Sequence, residues 1–160
     1  MTFESLNINK ALIPVLHKLG FESPTPIQES AIPAILAQED VLGIAKTGSG
    51  KTASYALPLL TLLQRLPMRE KDRSIDVLVL VPTRELAIQV GDVLNEFGRG
   101  LDKPVKTMSV YGGVSINPQM KSLFGTNILI ATPGRLLDLI DHNAVDLSKI
   151  RALVLDEADK

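Results

Sequence analysis

Four short runs of this sequence are apolar on consecutive residues: Val41-Leu42-Gly43-Ile44-Ala45, Val77-Leu78-Val79-Leu80-Val81, Ile128-Leu129-Ile130-Ala131 and Ala152-Leu153-Val154-Leu155. A strand with one face in water alternates apolar and polar residues. A run without alternation suits a strand buried on both faces, as in a parallel sheet covered by helices. A fifth run, Val105 to Val110, is interrupted by Lys106, Thr107 and Ser109 and reads as an edge strand. Helical periodicity fills the intervals at 52–66, 84–97 and 133–141. This alternation predicts an α/β fold, an open and mostly parallel sheet with helices on both faces.

Two helices are expected in residues 1–39, ahead of a core spanning 40–160. The second opens at Thr25-Pro26-Ile27-Gln28, with Thr25 as N-cap, Pro26 in the first helical position and Gln28 closing a capping box. Pro14 and Pro33 fall inside the two helices and should kink or shorten them. Pro67 to Ser74 is charged and reads as a solvated loop. At 160 residues the chain is sized for one domain burying roughly 70% of its unfolded surface. The absence of cysteine excludes a disulfide framework, a zinc finger and a thiol nucleophile. Seventeen basic residues against eighteen acidic ones give a net charge of −1, so any nucleic-acid binding must rest on placed groups. No signal peptide and no run long enough to span a membrane is visible, which gives a cytoplasmic expectation. His17 and His142 lack ligand-spaced partners and read as ordinary surface or core residues; Phe97, Phe124 and Tyr55 read as core, and Tyr111 stays open.

Chemistry concentrates first in Ala45-Lys46-Thr47-Gly48-Ser49-Gly50-Lys51-Thr52, between an apolar run and a helix. That is the context a phosphate-binding loop requires. Gly48 and Gly50 let the backbone curl so that successive N–H groups face an anion, and the helix adds its positive end. Lys51 would meet the β- and γ-phosphates, and the Thr52 hydroxyl would bind Mg²⁺. Ala45 stands where the strict pattern has Gly, which touches the approach to the loop and not its phosphate-facing part. The competing reading is a glycine-rich surface turn. The second concentration is Asp156-Glu157-Ala158-Asp159, directly after an apolar run. Asp156 at the carboxyl end of a strand suits a hydrated Mg²⁺, and Glu157 could polarise an attacking water. Alone, such carboxylates are more often a solvated turn; beside a phosphate loop the catalytic reading is stronger.

Together these residues resemble the first RecA-like lobe of DEAD-box ATP-dependent RNA helicases, in a bacterial form. Asp156 to Asp159 spell the motif that names the family, and Ala45 to Thr52 resemble its phosphate loop, Ala included. Gly20 to Gln28 resemble its Q motif, with Phe3 as the isolated upstream aromatic. Pro82-Thr83-Arg84-Glu85-Leu86 resembles motif Ia, Gly112-Gly113 the glycine doublet and Thr132-Pro133-Gly134-Arg135 motif Ib. The match covers essentially the whole chain, in the family's order.

The resemblance implies that ATP and Mg²⁺ are the cofactors, that Gln28 pairs with the adenine edge and that Phe21 packs on its ring. An amide can pair bidentately with adenine N6 and N7, although the capping box competes for the same Gln28 side chain. It implies a sequence-independent path for the RNA backbone along Pro82-Thr83-Arg84, Gly112-Gly113 and Thr132 to Arg135. Helix starts, glycine N–H groups and two arginines can grip phosphates without a basic pI. The bland alternative for each segment taken singly is a helix cap.

The resemblance also implies a Ser-Ala-Thr strand and a second RecA-like lobe beyond Lys160, which would make the lobe incomplete at its C-terminal end. The arginine fingers of that second lobe are worth about 10³–10⁵ in rate in related hydrolases, so this chain alone is expected to bind nucleotide but hydrolyse it poorly. A gap where the missing strand belongs would leave the chain unstable, or filled by rearrangement or strand exchange. Two other readings compete with the helicase lobe: another P-loop ATPase or small-molecule kinase, and a non-catalytic nucleotide- or partner-binding module. Accessory partners and the identity of the RNA are not encoded in these residues.

Overall fold

The computed structural model describes residues 1–46, 48–68 and 71–157. Its elements are a 3-10 turn at Glu4–Leu6, then α1 (Leu12–Lys18), α2 (Pro26–Leu36), α3 (Lys51–Arg65), β1 (Val77–Leu80), α4 (Arg84–Gly98), β2 (Thr107–Val110), α5 (Ile116–Ser122), β3 (Ile128–Ala131), α6 (Pro133–Asp141) and β4 (Ala152–Leu155). The chain divides into two compact units, residues 1–67 with 93–104 and residues 68–92 with 105–160.

The first unit is helical. Phe3, Leu6, Leu12, Leu16, Ile32, Leu57 and Leu60 are buried in it. α1 and α2 form despite their prolines. Pro14 sits in the first turn of α1, where an N–H has no partner within the helix, and α2 runs through Pro33 to Leu36. α3 is buried on every residue from Ala53 to Thr61. The Thr61 hydroxyl donates to Leu57 O at 2.8 Å and accepts from the Asn9 N–H at 2.9 Å, pinning the N-terminal segment to α3. Gln64 mimics a backbone partner for Lys103: its Nε2 donates to Lys103 O at 2.9 Å and its Oε1 accepts from Lys103 N–H at 3.1 Å.

Residues 41–45 do not form the expected strand. Leu42 and Ile44 are each 85% exposed, and no strand among the described residues pairs with the run. Apolar composition gives a segment a reason to be covered, but a strand also needs a neighbour for its backbone groups, and no strand among the described residues supplies one.

The second unit holds a four-stranded sheet in the order β2-β3-β1-β4. Every pairing is parallel, with Leu80 opposite both Ala131 and Leu155, and Val110 opposite Ala131. β1 and β3 occupy the middle and are buried as their continuous apolar runs predict, whereas β4, also a continuous apolar run, leaves Leu153 and Leu155 exposed because it has a neighbour on one side only. β2 lies at one edge, as its interruptions predicted, and β4 lies at the other. Leu78, Leu129, Ala131 and Val110 from the sheet pack with Leu123, Leu136, Leu139 and Ala144 from the helices and their loops. α4 approaches β2 closely: Ser109 Oγ donates to Ala87 O at 2.8 Å, and a Cβ on Gly91 would stand 2.4 Å from Ser109 Oγ. The sequence reading missed α5, and Phe124 is 53% exposed where core was expected. Phe124 follows α5 at a turn closed by Thr126 N–H to Leu123 O; Leu123 takes the interior place instead.

Candidate functional site

The residues expected to form a phosphate loop belong to the helical unit. Gly48 and Gly50 adopt φ of +83° and +88°, the left-handed region that favours glycine, and the Ser49 N–H closes a turn onto Lys46 O at 3.1 Å. Gly50 caps α3, so Lys51 and Thr52 occupy its first two positions, half-buried at the positive end of the helix. Ser49 Oγ is buried with no hydrogen-bond partner, an orphaned polar atom within the loop. Thr47 lies outside the described residues.

Gln28 is 0% exposed, and both ends of its amide are engaged. Its Oε1 accepts from the Thr25 N–H at 3.0 Å, completing that arm of the capping box, and its Nε2 donates to Gly50 O at 3.2 Å. The capping residue of α2 is therefore tied to the residue that caps α3. Phe21 is half-buried and meets Phe97 edge-on, with ring centroids 5.7 Å apart and planes at 73°.

In the second unit the parallel register does the assembling. All four strands end at the same edge of the sheet, so the segments that follow them line up in strand order: Tyr111 to Val114 after β2, Thr132 to Arg135 after β3, Pro82 to Arg84 after β1, and Asp156 with Glu157 after β4. The carboxyl edge of an open α/β sheet is where such folds place their ligands. Backbone bonds carry the ladder into the segments: Thr132 N–H to Val110 O at 3.2 Å, Val81 N–H to Ala131 O at 3.0 Å and Asp156 N–H to Leu80 O at 3.0 Å. Glu157 then turns away with φ +52°, an uncommon conformation for a residue with a side chain. Ala158 and Asp159 lie outside the described residues.

The side chains along this edge differ in what they have left to offer. The Thr83 hydroxyl accepts from the Leu86 N–H at 3.1 Å and so caps α4. Arg84 is exposed, with its guanidinium 4.9 Å above the Tyr111 ring centroid, a cation–π contact. Gly112 and Gly113 are exposed between Tyr111 and Val114. Pro133 and Gly134 are exposed at the start of α6, whose early N–H groups have no acceptor within the helix. Arg135 is the exception. It is 8% exposed, and its guanidinium donates to Gln119 Oε1 at 2.8 Å and to Val114 O at 2.9 Å, with Asp138 Oδ2 3.5 Å from Nε.

The sequence reading did not single out Gln119; the signal was a helix start at Ser115-Ile116-Asn117-Pro118, just after the glycine doublet. The two histidines make local contacts, His17 Nε2 lying 3.4 Å from Glu4 Oε1 and His142 Nδ1 2.7 Å from Asp138 O. No helix among the described residues is long and apolar enough to cross a membrane.

Residues 25–160 match the family model described as DEAD/DEAH box helicase. The chain is 47% identical, over its full length, to the DEAD-box ATP-dependent RNA helicase CshA of Streptococcus pneumoniae serotype 4, and 44% identical over 99% of its length to the ATP-dependent RNA helicase DeaD of Escherichia coli K12. It spans 29% and 24% of those two relatives. The crystal structure of a DEAD box protein from the hyperthermophile Methanococcus jannaschii superposes on 99% of the chain with a TM-score of 0.88 at 40% identity, and the match covers 42% of that protein.

Proposed function

Because the chain belongs to the DEAD/DEAH-box helicase family, we propose that it is the nucleotide-binding lobe of an RNA-dependent ATPase that unwinds or remodels RNA. The observation that carries this reading is the parallel register of the sheet. It puts three segments rich in helix-start and glycine N–H groups side by side, and the Asp156-Glu157 pair next in line.

Neighbouring strands lie roughly 4.8 Å apart, so the three segments form a short row suited to successive backbone phosphates and blind to base sequence. Arg84 supplies the exposed cation of that row. A small-molecule kinase has no use for such a row, which weighs against the P-loop alternative.

The nucleotide roles rest on the helical unit. The curled Gly48-Ser49-Gly50 backbone and the orphaned Ser49 Oγ fit a phosphate chain, with Lys51 placed to neutralise it. Thr52 and Asp156 are the proposed holders of Mg²⁺. When bound, the metal lends Lewis acidity to the phosphoryl oxygens. Glu157 orients the attacking water and takes its proton. Adenine reading by Gln28 requires it to exchange at least its bond to Gly50 O, so nucleotide selection is coupled to the cap of α3. Phe21 would offer its face to the adenine ring. The second RecA-like lobe of the full-length protein is the proposed intramolecular partner and the source of arginine fingers, and the cytoplasm is the proposed location.

The test is ATP hydrolysis by the full-length protein with and without single-stranded RNA. RNA should stimulate turnover, and Glu157→Gln should abolish it while ATP still binds. Turnover indifferent to RNA rejects the RNA-dependent reading, and an active Glu157→Gln variant rejects the role of Glu157.

A further inference from the structure

We propose that Arg135 and Gln119 form an internal clamp that sets the shape of the Tyr111 to Val114 loop, so that Arg135 is a positioning residue for the RNA path and not one of its phosphate contacts. The inference rests on the RNA path described above and concerns how that path is held.

The clamp is a closed set of hydrogen bonds. Arg135, in the first turn of α6, donates through one terminal nitrogen to Gln119 Oε1 at 2.8 Å and through the other to Val114 O at 2.9 Å. Gln119, on α5, donates its Nε2 to Tyr111 O at 3.2 Å. The two residues thus hold the carbonyls on both sides of Gly112-Gly113. A glycine pair has no side chains to define its course, so its geometry must be imposed from its ends.

The planar guanidinium suits this task, because two donors in fixed relation can fix two acceptors, which a single ammonium group cannot do. The enclosure of Arg135 argues the same way. Its side chain is 9% exposed and Nε is turned toward Asp138 Oδ2, so all three nitrogens face protein. To reach a phosphate it would have to leave acceptors that are themselves buried or in a constrained loop. The clamp also reaches Arg84, since Tyr111 offers its carbonyl to Gln119 and its ring to the Arg84 guanidinium. Fixing the loop therefore fixes the platform beneath the exposed cation of the path.

The experiment measures single-stranded RNA affinity and its salt dependence in the full-length protein, for Gln119→Leu, Arg135→Lys and the double variant. Nucleotide affinity and melting temperature of each variant report folding. The clamp predicts that Gln119→Leu, which removes no charge, weakens RNA binding about 3–10-fold, the worth of one or two hydrogen bonds. Arg135→Lys, which keeps the charge but cannot span both acceptors, should weaken it to a similar degree with the salt slope unchanged. The double variant should lose no more than the worse single one, because both substitutions open the same clamp. The RNA concentration giving half-maximal ATPase stimulation should rise while the maximal rate holds, a split that general loosening of the fold would not produce.

Wild-type affinity in Gln119→Leu, or full rescue by Arg135→Lys, would overturn the clamp and restore Arg135 as a direct phosphate contact. Additive losses would also overturn it. If the unmodified protein binds no RNA, the RNA path itself fails, and the clamp fails with it.

Discussion

Gly50 shows how a single residue can hold two functions together. Its φ of +88° is a conformation that costs a residue with a side chain about 1–2 kcal/mol, and a Cβ there would stand 2.4 Å from Gln28 Nε2. Gly48 has a similar φ but open space around its missing Cβ. Gly50→Ala should therefore lower the melting temperature more than Gly48→Ala does; equal losses would show that the contact with Gln28 does not constrain the loop.

Asp146 makes a second point at this scale. The Ser148 hydroxyl and then the Ser148 N–H donate to its Oδ1 at 2.6 and 2.9 Å, and these bonds hold its carboxyl below the usual aspartate range. A depressed folded pKa contributes stability above the unfolded value, lost as pH falls through the folded one. Ser148→Ala should raise the Asp146 pKa toward the ordinary aspartate range, read by NMR titration, lower stability at neutral pH and make that stability less dependent on acid, because the contribution lost on protonation is then largely absent. Capping boxes and glycine turns are legible in sequence because their partners lie a few residues away. Gln119 is not, because its partner Arg135 comes from another helix.

Among the elements, the α4–β2 contact sets how closely helix and sheet approach. Gly91 lets α4 lie against Ser109, whose hydroxyl is bound to Ala87 O. Gly91→Ala improves helix propensity by about 1 kcal/mol yet overpacks this contact, at a cost of about 1–3 kcal/mol. The single substitution should destabilise. Adding Ser109→Ala should recover the loss, because it removes the obstructing oxygen; a double variant as unstable as the single would place the strain elsewhere. Helices α4 and α6 were legible to within a residue because each begins with a Thr cap or Pro and carries a regular apolar face. α5 was not: it runs only from Ile116 to Ser122, and its buried polar residue, Gln119, sits where a pattern search expects an apolar one.

Across these 160 residues a net charge of −1 means that the proposed RNA contact cannot draw on bulk attraction by this chain. The proposed contact rests instead on a few groups held at one sheet edge. Arg84→Gln in the full-length protein should reduce the slope of log affinity against log salt by about 0.7, the value for one phosphate contact on a single strand. An unchanged slope would remove Arg84 from the path.

The sequence by itself determined the parallel α/β architecture, the glycine turn before α3 and the order of the candidate segments along the chain. Each of these is written in local periodicity or in residues a few positions apart. Only the tertiary structure decided that the run at 41–45 pairs with no strand among the described residues, that β4 is an edge, and that Arg84 and Arg135 differ, the first exposed and the second enclosed. Those outcomes depend on which neighbour is present to satisfy a backbone group or a buried charge, and a neighbour distant in sequence leaves no mark on the local pattern.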